Sequence, residues 1–320
     1  MSAARSLNAL RREIDAIDRA IHELLMDRAD VAARIRRLKS KAGVMLRPGR
    51  EAEIIRGLLG RHRGPLSKQH LVRIWREILA ASIGLQGPFS VAVYEPDDEY
   101  GFGDLGRDQF GLVTPMTVYR SQGQVIDAVV RGNAAVGILP LPFRGEKEPW
   151  WPHLVSEEAD APQIIARLPF AGHGSGRGGA LEALVIGRIA FEPTGRDRSY
   201  LAIEVEGEIS LSSLGPALAG EDLAPAFTAF WSPEHTPGSC LYLAEVDGFV
   251  AAKDRRILRL VEALDAPVRR ILILGGYAVP LGAEELAAPA GAAKKTRQPR
   301  AKSRATGRTS KASRTDPRAA

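Results

Sequence analysis

The hydrophobic pattern of residues 5 to 86 is typical of long helices. Apolar residues recur every three or four positions from Leu7 to Leu38, so they lie on one face of a predicted first helix. Glycines and prolines separate this helix from two further predicted helices. The expected bounds are 7–41, 48–62 and 67–86, with Ser67 capping the third helix. Two short helices cannot cover so long an apolar face, so we expect a partner chain.

After Pro88 the pattern changes to short runs of β-forming residues. A predicted helix at Val125–Arg131 precedes a predicted buried strand at Ala135–Leu141, which is typical of α/β structure. Further along, the predicted order is strand, helix, strand, strand, helix, strand, which is a ferredoxin-like βαββαβ unit. The chain is therefore expected to be multidomain, with an all-α domain at 1–88, an α/β region at 89–197 and a βαββαβ domain at 198–285.

The positive charge of the chain is concentrated at its end. The net charge is +6, but residues 286–320 contain ten Lys or Arg residues and one acidic residue, Asp316. This segment alone carries +9, which leaves −3 for the rest. Its composition, rich in Ala, Lys and Arg and without apolar periodicity, predicts a disordered tail. Such tails can bind nucleic acid non-specifically through phosphates; a solvated extension is the simpler interpretation.

The sequence argues against membrane, disulfide and metal classes. It has no apolar run long enough to span a bilayer or to form a signal peptide, so a cytoplasmic location is expected. Cys240 is the only cysteine, and His22 and His173 lack partners at metal-ligand spacing, so we expect no metal and no cofactor. The segment Gly174–Gly179 matches a dinucleotide-binding pattern, but a predicted strand follows it, so a flexible loop is favoured.

Arg28 is the residue that breaks the apolar face of the first helix. A buried guanidinium is destabilising unless an anion meets it. Lys39 lies eleven residues away, roughly 16 Å along the axis, so two long side chains can converge on one ligand. Arg11 lies seventeen residues the other way, roughly 25 Å, which is too far within one chain. In an antiparallel pair of chains, however, Arg11 of one chain approaches Arg28 of the other.

Further polar residues begin the second helix and end the third. Arg50 and Glu51 open the second helix, and Ser82 and Gln86 are four apart on one face of the third. Together with the cations of the first helix they predict a pocket for a compact dianion that carries a hydroxyl group. The alternative is that Arg28 pairs with an acidic residue of a partner helix and that the other charges are solvated.

These residues resemble the all-helical class of chorismate mutases. The stretches LNALRREIDAIDRAIHELLMDRADVAARIRRLK, RPGREAEIIRGL and HLVRIWREILAASIGLQ carry the resemblance, which implies conversion of chorismate to prephenate in aromatic amino-acid biosynthesis by a homodimer with shared active sites. It also implies residue roles. The implied catalytic residues are Arg11, acting across the subunits, Arg28 on a substrate carboxylate, and Lys39 and Gln86 on the ether oxygen. The implied substrate-binding residues are Arg50, Glu51 and Ser82.

One position departs from that family's pattern. Arg47 stands where many members carry an aspartate that contacts the ring hydroxyl of the substrate. Glu51 is expected to supply this contact without the aspartate. The pericyclic reaction requires no cofactor.

The rest of the chain resembles a prephenate dehydratase followed by an ACT regulatory domain, as in bifunctional enzymes of phenylalanine synthesis. The segment VIDAVVRGNAAVGILPLPFRGE has the dehydratase rhythm, but Leu141–Phe143 replaces the family's Glu-Asn-Ser and Leu181–Ala183 replaces its Thr-Arg-Phe. Residues 89–187, which carry this resemblance, are also too few for a two-lobed dehydratase. We therefore expect a mutase with a truncated, inactive dehydratase-like region and an ACT-like domain. The alternatives are a working mutase-dehydratase and a non-catalytic regulatory or binding protein on a helical dimer scaffold.

Overall fold

Three helices precede the sheet in the computed structural model, which describes residues 2–38, 46–97, 100–172, 181–232, 238–264 and 266–287. They are α1 (Ser2–Leu38), α2 (Pro48–Arg61) and α3 (Lys68–Gln86). The three predicted helices are thus confirmed, although the segment after Leu38 lies outside the described residues. Ser67 caps α3, as predicted, because its hydroxyl accepts a hydrogen bond from the His70 backbone N–H.

The remaining elements build one mixed sheet of nine strands among the described residues. The strand order is β2-β1-β3-β5-β4-β9-β6-β8-β7. The first half comprises β1 (Val91–Tyr94), α4 (Phe102–Phe110), β2 (Met116–Tyr119), α5 (Gln122–Val130), β3 (Val136–Pro140), β4 (Gln163–Leu168) and β5 (Ala183–Gly187). The second half comprises β6 (Asp197–Glu206), α6 (Leu211–Gly220), β7 (Pro225–Trp231), β8 (Ser239–Asp247), α7 (Arg255–Ala263), β9 (Val268–Ala278) and α8 (Ala283–Leu286).

The predicted βαββαβ unit is confirmed, with β6, β8 and β9 forming long antiparallel pairs. The α/β character of the preceding region is also confirmed, since β1 is parallel to both of its neighbours. The two regions meet where β4 runs parallel to β9, with Ile164 opposite Gly275. The predicted division into separate domains at residues 88 and 197 remains a prediction.

The helices α2 and α3 pack near the C-terminal ends of the central strands β4 and β9. Their apolar residues share a core with residues that follow β4 and β9, and the buried members are Ala52, Ile55, Leu59, Val72, Leu79, Phe170, Ala278, Leu281 and Leu286. The Arg56 guanidinium adds polar contacts, donating to the Arg196 carbonyl at 3.0 Å and to the Val279 carbonyl at 2.8 Å. Since burial of apolar area and hydrogen bonding act together here, α2 and α3 are fixed against the sheet.

The apolar face of α1 is largely uncovered in the single chain. Ala32 is buried near the C-terminal end, where α1 packs on α3. Toward the N-terminus the stripe residues are at least half exposed: Leu7, Leu10, Ile14, Ile17, Ile21 and Leu24. An apolar face of this length is unusual on the surface of a monomer and is typical of an interaction surface.

Metal binding and membrane insertion can be examined in the described residues. Within the described ranges, no group of His, Cys, Asp or Glu side chains is arranged to hold a metal ion, and no helix has the length and hydrophobicity needed to cross a bilayer. Cys240 is a buried free thiol. His173, the glycine-rich segment 174–179 and residues 288–320 of the predicted basic tail lie outside the described residues. Leu286, where that tail was predicted to begin, is the last residue of α8 and is buried.

Candidate functional site

Arg28 reaches from α1 onto α3. Its Nη1 atom contacts the Ser82 hydroxyl and lies 3.4 Å from the Ile78 carbonyl oxygen. The Ser82 hydroxyl itself donates to the same carbonyl at 2.7 Å. Burial lowers the pKa of the Arg28 guanidinium, which nevertheless stays charged at neutral pH because an arginine titrates so far above it. In the part of the chain that the structure describes, Arg28 forms no ion pair with a carboxylate.

Gln86 lies one turn beyond Ser82 on the same face of α3. Its Nε2 atom donates to the Ser82 backbone carbonyl at 2.9 Å. An amide nitrogen carries two hydrogens, so one remains for a ligand. Arg28 and Gln86 both contact Ser82, so a cation, a hydroxyl and an amide donor lie close together. We call these three residues the α1–α3 cluster.

Glu51 is bound elsewhere in the single chain. Its carboxylate is buried and accepts a hydrogen bond from Arg76 Nη1 at 2.9 Å. Burial raises the pKa of the Glu51 carboxyl, while the charge of Arg76 opposes the shift. Burial likewise lowers the pKa of the Arg76 guanidinium, which stacks on the Phe170 ring with 4.9 Å between Cζ and the ring centroid. The role of Glu51 in substrate binding remains a prediction.

The two arginines around the start of α2 contact carboxylates of this chain. Arg50 is exposed and pairs with Glu53 at 2.9 Å. Arg47 holds both carboxylate oxygens of Glu192, with its Nη2 atom 3.0 and 2.9 Å from them. The residue that replaces the family's aspartate therefore ties α2 to the α/β region. The predicted role of Arg50 in substrate binding is not tested by this contact.

The remaining predicted cations lie outside the α1–α3 cluster. Arg11 is in the exposed N-terminal half of α1, about 25 Å along the axis from Arg28. Lys39 lies outside the described residues. Their predicted roles remain predictions, and the role of Arg11 requires a second chain.

The sequence interpretation missed Arg76, although the signal was present. Arg76 lies among Val72, Leu79 and Ile83, which are the buried apolar positions of α3. An arginine on an apolar helix face is the same pattern that identified Arg28. Here the anion is an internal one, Glu51.

Residues 10–87 match the family model described as Chorismate mutase type II, which confirms the resemblance of the helical segment. The "Bifunctional chorismate mutase/prephenate dehydratase" of Stutzerimonas stutzeri is 29% identical over 147 residues, covering 44% of this chain and 40% of the relative. The protein with the same description from Aquifex aeolicus is 33% identical over 140 residues, covering 42% and 38%. The chain thus spans about two fifths of the length of the curated relatives it matches.

Solved structures show weaker similarity. A prephenate dehydratase from Streptococcus mutans aligns with a TM-score of 0.43 and 13% identity, over 60% of this chain and 98% of that chain. A structure described as "GqqA- a novel type of quorum quenching acylases" aligns with a TM-score of 0.45 and 16% identity, over 61% and 97%. Both TM-scores are below 0.5, and neither similarity indicates a function for this chain.

Proposed function

We propose that this chain is a chorismate mutase, an isomerase that converts chorismate to prephenate in aromatic amino-acid biosynthesis. The observation that carries the proposal is the α1–α3 cluster. A half-buried arginine without a carboxylate partner among the described residues lies beside a hydroxyl and an amide, within the segment that matches the mutase family model. A substrate carboxylate is the anion that such an arginine requires.

The chemistry fits a site without a nucleophile or proton shuttle. In the pericyclic step the ether C–O bond breaks as the new C–C bond forms, so catalysis consists of holding a compact conformer and stabilising charge on the ether oxygen. Arg28 binds one carboxylate, and the Ser82 hydroxyl orients the Arg28 guanidinium through its contact with Nη1. Lys39 and the second amide hydrogen of Gln86 donate to the ether oxygen. Arg50 and Glu51 bind the remaining groups of the substrate. For this, Glu51 gives up its hydrogen bond from Arg76 and accepts one from the substrate hydroxyl.

The exposed stripe of α1 supports a homodimer with shared active sites. A second copy packed antiparallel covers the residues from Leu7 to Leu24 and brings its own Arg11 to Arg28. The substrate's second carboxylate then receives a cation from the partner subunit. Under this proposal neither subunit has a complete site alone.

Mixing two inactive variants should therefore restore activity. Arg11→Ala and Lys39→Ala chains are each expected to be inactive, but a hybrid dimer contains one site with both cations. After equal mixing and subunit exchange, half of the dimers are hybrids, so about a quarter of the parental activity should return. In the matched control, Arg11→Ala chains are mixed with chains that carry both substitutions. Every site then lacks Arg11, so no activity should return. An active monomer in sedimentation experiments, or no recovery after proven exchange, would mean that Arg11 does not act across subunits.

The dehydratase-like region is proposed to be inactive. Glu182, in the replaced Thr-Arg-Phe position, is bound by Arg167, whose Nη2 lies 2.9 Å from both carboxylate oxygens. Phe143, in the replaced Glu-Asn-Ser position, is exposed. Neither side chain is therefore available as a polar catalytic group.

Chorismate given to the full chain should be consumed and prephenate should accumulate at neutral pH. Chromatography separates prephenate from phenylpyruvate, and the buffer without protein supplies the spontaneous rate. Phenylpyruvate formed faster than this rate would favour the bifunctional mutase-dehydratase. Chorismate that is bound but not consumed would favour the non-catalytic binding protein.

A further inference from the structure

A cavity of about 270 Å³ lies between α3, α4 and the segment Pro169–Gly172. It is separate from the α1–α3 cluster, because its α3 residues belong to the first half of that helix. Its walls combine apolar side chains with two arginines, two amides, a histidine and the carboxylate of Asp108. The residues that the argument uses are Val72, Arg73, Arg76, Leu105, Gln109 and Phe170.

Arg76 presents an unused pair of donors at this cavity. A guanidinium binds a carboxylate most favourably through two parallel hydrogen bonds. Arg47 and Arg256 hold Glu192 and Asp254 in this way, through Nε and Nη2. Arg76 uses only Nη1 for its internal bond. Across the described residues, nothing accepts a hydrogen bond from its Nε or Nη2 atom.

Gln109 is a second polar group of the same wall. Its side chain is 8% exposed, and within the described ranges it has no hydrogen-bond partner. Its amide atoms are not among the enclosed atoms without a partner, so they are accessible from the cavity. A ligand oxygen in the cavity can accept from this amide, which carries two hydrogens.

The charge and shape of the cavity restrict the ligand further. The charge of Arg76 is shared with Glu51, and that of Arg73 with Asp108 at 3.3 Å. A single negative charge therefore suits the cavity better than a dianion. Val72, Leu105 and Phe170 supply apolar surface for the rest of the molecule. A cavity of about 270 Å³ is large enough for a single aromatic ring with one carboxylate.

We propose that this cavity binds a small organic monocarboxylate with a flat apolar body. The carboxylate occupies the Nε–Nη2 edge of Arg76, one of its oxygens accepts from the Gln109 amide, and the apolar body lies against Phe170. None of these three residues belongs to the α1–α3 cluster, and Arg76 is linked to the proposed mutase site only through its ion pair with Glu51.

Calorimetric titration of the full chain with benzoate tests the proposal, with benzamide as a neutral molecule of the same shape. Benzoate should bind, and benzamide should bind at least tenfold more weakly because it cannot accept two charge-assisted hydrogen bonds. Gln109→Glu introduces a like charge and should weaken benzoate binding at least tenfold. Arg63→Gln removes an exposed positive charge outside the cavity and should leave benzoate binding unchanged.

Arg28→Ala separates the two carboxylate sites. Benzoate binding that survives Arg28→Ala but is lost in Gln109→Glu supports the cavity site, whatever the fate of the mutase proposal. Equal binding of benzoate and benzamide to the parent chain would overturn the proposal without any variant. So would the absence of benzoate binding, or loss of binding in Arg28→Ala.

Discussion

Replacing Arg28 by alanine is expected to lower kcat/KM for chorismate by about 10²–10³-fold, equivalent to about 3–4 kcal/mol of transition-state stabilisation. The reason is the position of the guanidinium. It is half-buried against Ser82 and Ile78 and has no carboxylate partner among the described residues. A substrate carboxylate that replaces water there gains charge-assisted hydrogen bonds in a partly desolvated setting. Steady-state kinetics of the purified variant measure the loss.

Two further variants give this experiment its controls. Arg28→Lys keeps the charge but loses the planar pair of donors, so it should fall between the parent and Arg28→Ala. Arg34→Ala removes an exposed arginine from the same helix and should leave kcat/KM within about twofold, because its side chain faces solvent. The far-ultraviolet circular dichroism of all three should match that of the parent.

The alternative role of Arg28 has a different signature. If Arg28 pairs with an acidic residue of a partner helix, Arg28→Ala leaves that acid buried and unpaired, which weakens the dimer. Sedimentation equilibrium would then show dissociation, and activity measured at high protein concentration would recover. A variant that remains dimeric and keeps kcat/KM within tenfold of the parent would contradict both roles.

The elements with a clear hydrophobic periodicity could be predicted from the sequence. Helices α1 to α3 and the βαββαβ unit follow from local patterns of apolar residues and breakers. Helix α4 was missed because it is short and contains Gly103 and Gly106, which lower helix propensity. Gly106 is explained only by tertiary structure, since a Cβ there would lie 2.9 Å from the Ile138 side chain of β3.

In the candidate site, too, local patterns identified some residues but not their long-range partners. Arg28 was singled out because it breaks the apolar face of α1, and Ser82 and Gln86 because they lie four residues apart on one face of α3. The partner of Arg47 was not readable, since Glu192 lies 145 residues further along the chain. Glu51 pairs with Arg76, which folding brings next to it. No local sequence pattern predicts this pair. Ion pairs between residues far apart in the sequence are therefore the part of this region that local patterns do not predict.

The second large effect is expected at Gln86, whose proposed task is to donate an amide hydrogen to an oxygen that becomes more negative in the transition state. One amide hydrogen already bonds to the Ser82 carbonyl at 2.9 Å. An ionised glutamate has no hydrogen for either oxygen and presents a negative charge to both. Gln86→Glu should therefore lose about 10²–10³-fold in kcat/KM at about pH 8.

Activity of Gln86→Glu should recover as the pH falls, because the protonated carboxyl regains a donor. Burial raises the pKa of a carboxyl and favours this recovery, whereas the positive charges of Arg28 and Lys39 oppose it. Gln86→Ala is the matched control, since it removes the same donor but has no group that titrates. Measurements of kcat/KM for both variants between about pH 4.5 and pH 8.5, divided by the parent at each pH, isolate the effect. A Gln86→Glu variant as active as the parent at the alkaline end would mean that the amide does not bond to the ether oxygen. A ratio that rises equally for Gln86→Ala would assign the recovery to another group.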